Sequence, residues 1–125
     1  MKVLVDTPVW VDHLRRDDAT LRRLLAAGVV HVATPILGEL IAGNLPNRQR
    51  TVADLRLIPR LAEPRSDEML DWIETRSLGG KGLSWVDCLL LAIAEQNGVA
   101  IYTHDRILAR QAGLLKLAFT GERAG

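Results

Sequence analysis

Short, continuous apolar runs alternate along this chain with longer segments in which apolar residues recur every three or four positions. A strand covered on both faces is apolar throughout, whereas a helix packed on one face has a 3.6-residue period. Strands are therefore predicted at residues 3–5, 29–33, 99–103 and 115–119. Helices are predicted to begin at Thr7 and at Thr34, and to cover residues 18–27, 47–58, 66–75, 84–97 and 105–112. This alternation predicts an α/β fold in which helices cover both faces of a central parallel sheet of about four to five strands.

Capping residues mark the predicted helix boundaries. Thr-Pro pairs at residues 7–8 and 34–35 predict helix starts, because Thr can cap free amides and Pro suits the first helical position. Ser84 and Asp87 have the spacing of a capping box. Helix ends are expected at Gly28, Gly98 and Gly113. The glycine-rich stretch 79–82 is predicted to be a flexible loop, because it lacks the spacing and the hydroxyl residue of a phosphate-binding P-loop.

Length and composition predict one folded domain over residues 1–125. A chain of 125 residues can bury about two thirds of the surface that it exposes when unfolded. Its 48% apolar and 25% charged residues are ordinary for a globular domain and exclude disorder. The net charge of +1 gives no general attraction to nucleic acid, and neither a fixed-period repeat nor a linker divides the chain.

Cysteine and histidine usage bears on the compartment and on metal chemistry. The single cysteine, Cys88, excludes an internal disulfide framework and fits a reducing compartment. His13, His31 and His104 are too widely separated to predict a zinc site. The apolar run after Lys2 is only three residues long, too short for a signal peptide or a membrane span. We expect a cytoplasmic protein.

Four acidic residues lie next to predicted strand ends or on apolar helices. Asp6 and Asp105 come just after strands, and Asp87 lies in the first turn of a helix. Glu39 lies within an apolar helix. The carboxyl ends of strands share the sheet edge where open α/β sheets bind ligands. If the four converge, repulsion of roughly 4 kcal/mol between unit charges about 4 Å apart at a dielectric of about 20 calls for a cation. Carboxylate oxygens favour Mg²⁺ or Mn²⁺ over zinc.

Each acid also has a purely structural interpretation. Asp6 can stabilise the positive end of the following helix, Asp87 can serve only the capping box, and Asp105 can be an N-cap. Glu39 can reach solvent if its helix rolls. The functional interpretation depends on the set, because three independent strand-to-helix junctions carry acids and the fourth acid comes from a helix that follows another junction.

Neighbouring polar residues are assigned supporting or surface roles. Thr7 and Thr103 are expected to donate hydrogen bonds that orient Asp6 and Asp105. His104 has no Ser or Cys partner suggested by the sequence and is expected to be a surface loop residue.

Four segments together resemble the PIN-domain ribonucleases of the VapC toxin group. They are VLVDTPVWVDHL at 3–14, TPILGELIAG at 34–43, LSWVDCLLLAIA at 83–94 and IYTHDRIL at 101–108. The resemblance covers nearly the whole chain and implies a three-layer PIN-like fold. It assigns an acidic quartet that binds Mg²⁺ or Mn²⁺ to Asp6, Glu39, Asp87 and Asp105.

The resemblance also implies partners and shows one departure. It implies a homodimer and a cognate VapB-type antitoxin that occupies the cleft, commonly with a basic side chain facing the acids. Pro8 stands where many relatives carry Ser, so a hydroxyl contact from that position is lost, and Thr7 can compensate.

Together, residues and resemblance predict a metal-dependent endoribonuclease, the toxin of a toxin-antitoxin pair. The acids would hold one or two Mg²⁺ that activate water for in-line attack on an RNA phosphodiester. Arg accounts for 13 of the 16 basic residues and suits bidentate phosphate contacts, although codon bias explains the same excess. Candidates for RNA-backbone contacts are Arg15, Arg16, Arg106 and Arg110, each with a solvated helix face as the alternative. Asp12 is expected to pair with Arg15 or Arg16 on such a face.

Two rival functions are kept open to different degrees. A phosphotransfer protein also places Asp at the end of its first strand. However, the phosphatase motif needs a second Asp where Pro8 stands, and receivers need paired acids where Val5 precedes Asp6. A catalytically inert PIN-like binding module would use the acids only to receive a basic peptide. Metal-dependent RNA cleavage separates that module from the nuclease.

Overall fold

A parallel sheet surrounded by helices forms the framework of the protein. Residues 1–121 are described by a computed structural model of the chain. The strands are β1 (Val3–Val5), β2 (Val30–His31) and β3 (Ala100–Tyr102). The helices are α1 (Thr7–Arg16), α2 (Ala19–Ala26), α3 (Thr34–Ala42), α4 (Arg48–Leu55), α5 (Ser66–Thr75), α6 (Trp85–Asn97) and α7 (Arg106–Leu114).

The central strand β1 is covered on both faces. The sheet has the order β2-β1-β3 and both pairings are parallel. Val3, Leu4 and Val5 are all completely buried. Because successive strand residues point to opposite faces, burial of all three requires packing on both sides of the sheet. The predicted α/β architecture with a parallel sheet and flanking helices is confirmed.

The sheet is narrower than the four to five strands expected. In the described part of the chain, three segments form strands, and two single parallel bridges, Val32 to Arg60 and Ile101 to Ala118, extend its edges. The expected strand at 115–119 contributes only the second bridge. Helix α7 runs on to Leu114, and Lys116 adopts a left-handed φ of 62°, so little extended chain is left to pair.

Two helix starts differ in detail from the expectation that Thr provides the cap. Asp6 is the N-cap of α1, and its Oδ1 accepts a hydrogen bond of 2.9 Å from the amide of Thr7. The Asp6 carboxylate, one residue earlier in the chain, therefore provides the cap that was expected from the Thr7 hydroxyl. Ala33 is the N-cap of α3, so Thr34 is already its first helical residue and no side chain caps that helix.

The later helices follow their sequence signals more closely. Helix α5 has the predicted bounds, and α6 has the predicted capping box at Ser84 and a left-handed Gly98 at its end. Gly113 was expected to close α7, but it lies within that helix, which continues to Leu114. Among the helices of residues 1–121, none has the length and apolar character needed to cross a bilayer.

The topology brings distant segments to one sheet edge. The chain passes from β1 to β2 on one side and then crosses to β3 on the other side of β1, so the strand order reverses there. The crevice at this switch point lies beyond the carboxyl ends of β1 and β3. Val5 pairs with Tyr102 in register, so the residues that follow them continue side by side. These are Asp6 and Thr103.

Candidate active site

Asp6 is held at the ends of β1 and β3. Its amide donates a 2.9 Å hydrogen bond to the carbonyl of Tyr102, which continues the strand pairing by one residue. The Thr103 hydroxyl donates a 2.7 Å bond to Asp6 Oδ2 and accepts a 3.0 Å bond from the amide of Asp105. Thr103 thereby connects the two acids that follow these strands.

Glu39 reaches the same place from α3 through Thr7. The Thr7 hydroxyl donates a 2.8 Å hydrogen bond to Glu39 Oε1, while its amide binds Asp6. The expected hydrogen bonds of the two threonines are therefore wrong in part. The hydroxyl that donates to Asp6 belongs to Thr103, and the Thr7 hydroxyl donates to Glu39. At the first position of α1, the Thr7 side chain points across to the packed helix α3 rather than back to its own cap.

Asp87 and Asp105 are held by the starts of two further helices. Asp87 Oδ2 accepts a 3.1 Å bond from the amide of Ser84, and the Ser84 hydroxyl accepts a 3.1 Å bond from the amide of Asp87. Asp105 caps α7, where its Oδ1 accepts a 2.9 Å bond from the amide of Leu108. The structural roles considered for these acids are present.

All four expected acids line one cleft of about 420 Å³. The lining residues are Asp6, Thr7, Pro8, Val11, Asp12, Glu39, Ser84, Val86, Asp87 and Asp105. Neither Lys, Arg nor His is among these lining residues. The cleft is therefore an acidic site without an internal counter-charge in the described structure.

Asp6 experiences this environment most strongly, because only 7% of its surface is exposed. Burial raises the pKa of its carboxyl, and the nearby negative charges of Asp87 and Glu39 raise that pKa further. The hydrogen bonds from Thr103 and Thr7 act in the opposite direction, because they stabilise the charged form. The net direction is upward, which is the signature of a carboxylate short of positive partners.

The local hydrogen bonds of three of these acids occupy only one carboxylate oxygen each. Within residues 1–121, one oxygen each of Glu39, Asp87 and Asp105 accepts a hydrogen bond, and the other accepts none. Across the same residues, no salt bridge reaches these three acids or Asp6. The local bonds thus orient each carboxylate and leave acceptor capacity directed to other ligands.

The donor set fits a hard divalent cation. Carboxylate and hydroxyl oxygens line the cleft, and nitrogen or sulfur side chains that favour zinc are not among its lining residues. In the described residues, no three Asp, Glu, His or Cys side chains stand close enough to form a ready-made metal cage. Like charges in one cleft repel each other, and a cation would relieve that repulsion.

Asp12 is a fifth acid of the cleft that the sequence interpretation missed. It was expected to pair with Arg15 or Arg16, but its nearest charged partner is His104, with Asp12 Oδ2 3.4 Å from His104 Nδ1. His104 is an exposed loop residue, as expected. Helical spacing could have indicated that Asp12 shares a face with Pro8, which lines the cleft, because the two residues are four positions apart on α1.

The four candidate RNA-binding arginines stand outside the cleft lining. Arg15, Arg16, Arg106 and Arg110 are all exposed. Arg15 and Arg16 end α1, roughly 14 Å along its axis from the acids at its start, at about 1.5 Å per residue. Arg106 and Arg110 are closer in sequence, on the helix that Asp105 caps.

A second concave region of about 440 Å³ lies at α5 and α6 and differs in its charge balance. Arg76 forms a salt bridge with Glu95 there and lies over the Trp72 ring, 5.1 Å from its centroid. Trp72 Nε1 also donates to Glu95. Unlike the acidic cleft, this region therefore has a cationic side chain of its own, and that side chain pairs with one of its acids.

Comparison with known proteins identifies the family of the chain and supports its fold. The family model described as PIN domain matches residues 3–114. The chain belongs to the PIN-domain family. Ribonuclease VapC32 from two Mycobacterium tuberculosis strains, CDC 1551 / Oshkosh and ATCC 25618 / H37Rv, is 34% identical over 107 residues. That match covers 85% of this chain and 86% of each relative, so this PIN-domain protein is a member of the VapC group.

A solved structure supports the PIN fold independently. The crystal structure of PAE2754 from Pyrobaculum aerophilum superposes with a TM-score of 0.61 and covers 94% of this chain and 89% of that chain. The two sequences are 19% identical, so this likeness concerns the fold.

Proposed function

We propose that this protein is a divalent-metal-dependent endoribonuclease and the toxin of a VapBC-type toxin-antitoxin pair. The observation that carries the proposal is the convergence of Asp6, Glu39, Asp87 and Asp105 on one cleft without a salt bridge to any of them in residues 1–121. Similarity to a ribonuclease across 85% of the chain supports RNA as the substrate.

The four acids would hold Mg²⁺ or Mn²⁺. Glu39, Asp87 and Asp105 would do so through the oxygen that accepts no hydrogen bond. Asp6 would use the remaining lone pairs of oxygens that each accept one hydrogen bond. When bound, such an ion supplies a Lewis acid that activates water and stabilises negative charge at the phosphate. The chain's own contribution is orientation. Thr103 holds Asp6, Thr7 holds Glu39, and the starts of α6 and α7 hold the other two acids.

RNA must be held by groups beyond the acidic lining, because phosphates and carboxylates repel each other. Arg106 and Arg110, on the helix capped by Asp105, are the better-placed pair for the RNA backbone. Arg15 and Arg16 lie at the far end of α1 and would contact a more distant part of the strand.

The proposal extends to partners and compartment. A VapB-type antitoxin would cover the cleft and present a cationic side chain to the unmatched acids, and the toxin would work as a homodimer. We place the protein in the cytoplasm, where its one cysteine, Cys88, would stay reduced, and we treat residues 1–125 as a single PIN domain. Burial raises the pKa of the Cys88 thiol, which suits an inert core residue rather than a nucleophile.

A cleavage assay on total RNA tests the proposed activity. The purified chain should cut RNA with Mg²⁺ or Mn²⁺ and should stop when a chelator is added. Asp87→Asn should lose cleavage, whereas Asp54→Asn, an exposed acid on α4, should retain it. Mapping the cut ends would then identify the RNA and the cleavage position.

The outcomes distinguish the nuclease from its rival. Cleavage that persists in chelator, or in Asp87→Asn, would contradict the metal site. Mn²⁺ binding without cleavage of any RNA would favour the inert binding module.

A further inference from the structure

Asp12 faces the cleft from the second turn of α1. It lines the cleft together with Pro8 and Val11, which precede it by four residues and by one. Side chains on a helix lean toward its N-terminus, and Asp6 is the N-cap of α1. The Asp12 carboxylate therefore leans toward the end of the helix where the four acids meet.

His104 contacts Asp12 from the loop after β3. His104 Nδ1 lies 3.4 Å from Asp12 Oδ2, a polar contact that is longer than a good hydrogen bond. In residues 1–121, neither oxygen of Asp12 accepts a hydrogen bond. Asp12 thus lacks the amide or hydroxyl donor that orients each of the other four acids, and His104 is its one charged contact in the described chain.

His104 is itself fixed on its other side. Its Nε2 lies 3.6 Å from Asp18 Oδ2 and 3.3 Å from the Tyr102 hydroxyl. The His104 and Tyr102 rings meet edge to face at 5.5 Å between centroids. Asp18 is the N-cap of α2, and it accepts hydrogen bonds from the amide of Leu21 and from the Tyr102 hydroxyl. The imidazole is therefore held between β3 and the start of α2, with one nitrogen left to face Asp12.

We propose that Asp12 is a fifth carboxylate that strengthens divalent-cation binding in the cleft, and that His104 is the positioning residue that keeps Asp12 turned toward it. This inference rests on the proposed function, because it assumes that the four acids bind a cation. Asp12 acts through its charge at the cleft wall. His104 acts only through Asp12, by restricting a half-exposed side chain that would otherwise turn to solvent.

Mn²⁺ binding to the RNA-free chain tests the role of Asp12. Calorimetry or electron paramagnetic resonance at one fixed pH would give the Kd for Mn²⁺ alone. Because one unit charge acts on a divalent ion through largely aqueous surroundings, Asp12→Asn should raise the Kd by about three- to tenfold. Asp54→Asn is the matched control, since it removes an exposed helix acid away from the cleft, and its Kd should not change.

His104→Gln tests the positioning role, because a His104 that does not act through Asp12 predicts a different change in the Kd for Mn²⁺. Removal of the imidazole without any effect on Asp12 should leave the Kd for Mn²⁺ unchanged, or lower it where the imidazole carries a proton. Release of Asp12 should instead raise the Kd by about twofold or more. In the Asp12→Asn background, His104→Gln should have no further effect, as a double-mutant cycle would show. The metal-free melting temperature of each variant establishes that it is folded.

The possible failures are separable. If the parent chain does not bind Mn²⁺, or binds it equally after Asp87→Asn, the proposed function fails. If the parent binds and Asp87→Asn does not, an unchanged Kd in Asp12→Asn overturns the role of Asp12. Tighter Mn²⁺ binding in His104→Gln overturns the positioning role of His104. An effect of His104→Gln on the Kd that is equally large in the Asp12→Asn background also overturns it.

Discussion

Ser84 and Asp87 exchange two hydrogen bonds, yet substitution of one should affect stability and substitution of the other should affect activity. The amide of Ser84 donates to Asp87 Oδ2 and the amide of Asp87 donates to the Ser84 hydroxyl, each at 3.1 Å. If Asp87 serves only this capping box, both substitutions should cost stability and neither should abolish RNA cleavage. If Asp87 also binds a cation, the two variants should have different phenotypes.

Asp87→Asn retains the cap but loses the charge. The amide oxygen of Asn can still accept from the Ser84 amide, so the main loss is the favourable charge at the start of α6, worth about 0.3–1 kcal/mol. The same change removes repulsion that raises the pKa of Asp6, a gain on the order of 1 kcal/mol for partly solvated charges. The metal-free free energy of unfolding should therefore change by less than about 1 kcal/mol, while cleavage should fall by about 100-fold or more, beyond the usual cost of losing an outer-shell partner.

Ser84→Ala retains the charge but loses the cap. It removes the hydroxyl that accepts from the Asp87 amide, which should cost about 0.5–2 kcal/mol of stability. All four carboxylates remain, and the Ser84 amide still orients Asp87, so metal-dependent cleavage should be largely retained.

Urea unfolding in chelator and RNA cleavage in Mn²⁺ would measure the two effects on the same preparations. Equal losses of stability in both variants, with cleavage retained in Asp87→Asn, would refute the reasoning and leave Asp87 as a capping residue only. Loss of cleavage in a Ser84→Ala variant that remains folded would also refute it, because the cap would then be inseparable from the chemistry.

Three further predictions follow from the same geometry. Thr103→Val removes a 2.7 Å bond to a nearly buried carboxylate and should cost about 1.5–3 kcal/mol, whereas Thr75→Val, at an exposed position, should be neutral in the same urea titration. Because the pKa of Asp6 is raised above 3.8, log Kd for Mn²⁺ measured by calorimetry and plotted against pH should show a break above 3.8, and the break should move to a still higher pH in Thr103→Val. A break at or below 3.8, or one that Thr103→Val leaves in place, would contradict this. Burial and Asp18 raise the pKa of Tyr102, the one tyrosine of the chain, to about 12. Its ultraviolet titration should therefore have a midpoint near 12, and Asp18→Asn should lower that midpoint. Because this folded pKa exceeds the ordinary value of 10.0, the associated stability is full below pH 10.0 and is lost as the pH rises through about 12.

Local sequence signals were sufficient to place three of the four acids. Asp6 and Asp105 follow apolar strands and Asp87 opens a helix, and each of these relations involves only a few neighbouring residues. Parallel pairing then brings the strand ends together, as a general property of this fold class. The fourth acid, Glu39, was chosen as a candidate because a carboxylate within an apolar helix is unusual. The sequence could not show which residue it contacts.

Contacts between distant segments were beyond the reach of these signals. The bond from Thr7 to Glu39 spans 32 residues, and the contact of Asp12 with His104 depends on how α1 lies against the loop after β3. Arg15 and Arg16 were the obvious local partners for Asp12, but a helix residue can meet charges from another element instead. The last predicted strand was shortened by local geometry instead, because Leu115 and Lys116, its first two residues, form a turn after α7 in which Lys116 has a left-handed φ.

Helix starts explain how the folded chain tolerates an acidic cleft before any cation binds. Asp6 caps α1, Asp105 caps α7, and Asp87 lies in the first turn of α6. The positive ends of three helices therefore face the same acids, and each stabilises a nearby carboxylate by about 0.3–1 kcal/mol. This is enough to hold the charges in place but not to neutralise them, because burial and like charges still raise the pKa of Asp6. Capping and the proposed cation binding would thus be complementary uses of the same residues: the helix starts hold an oxygen of each of these three acids, and the remaining charge is what a divalent ion would bind.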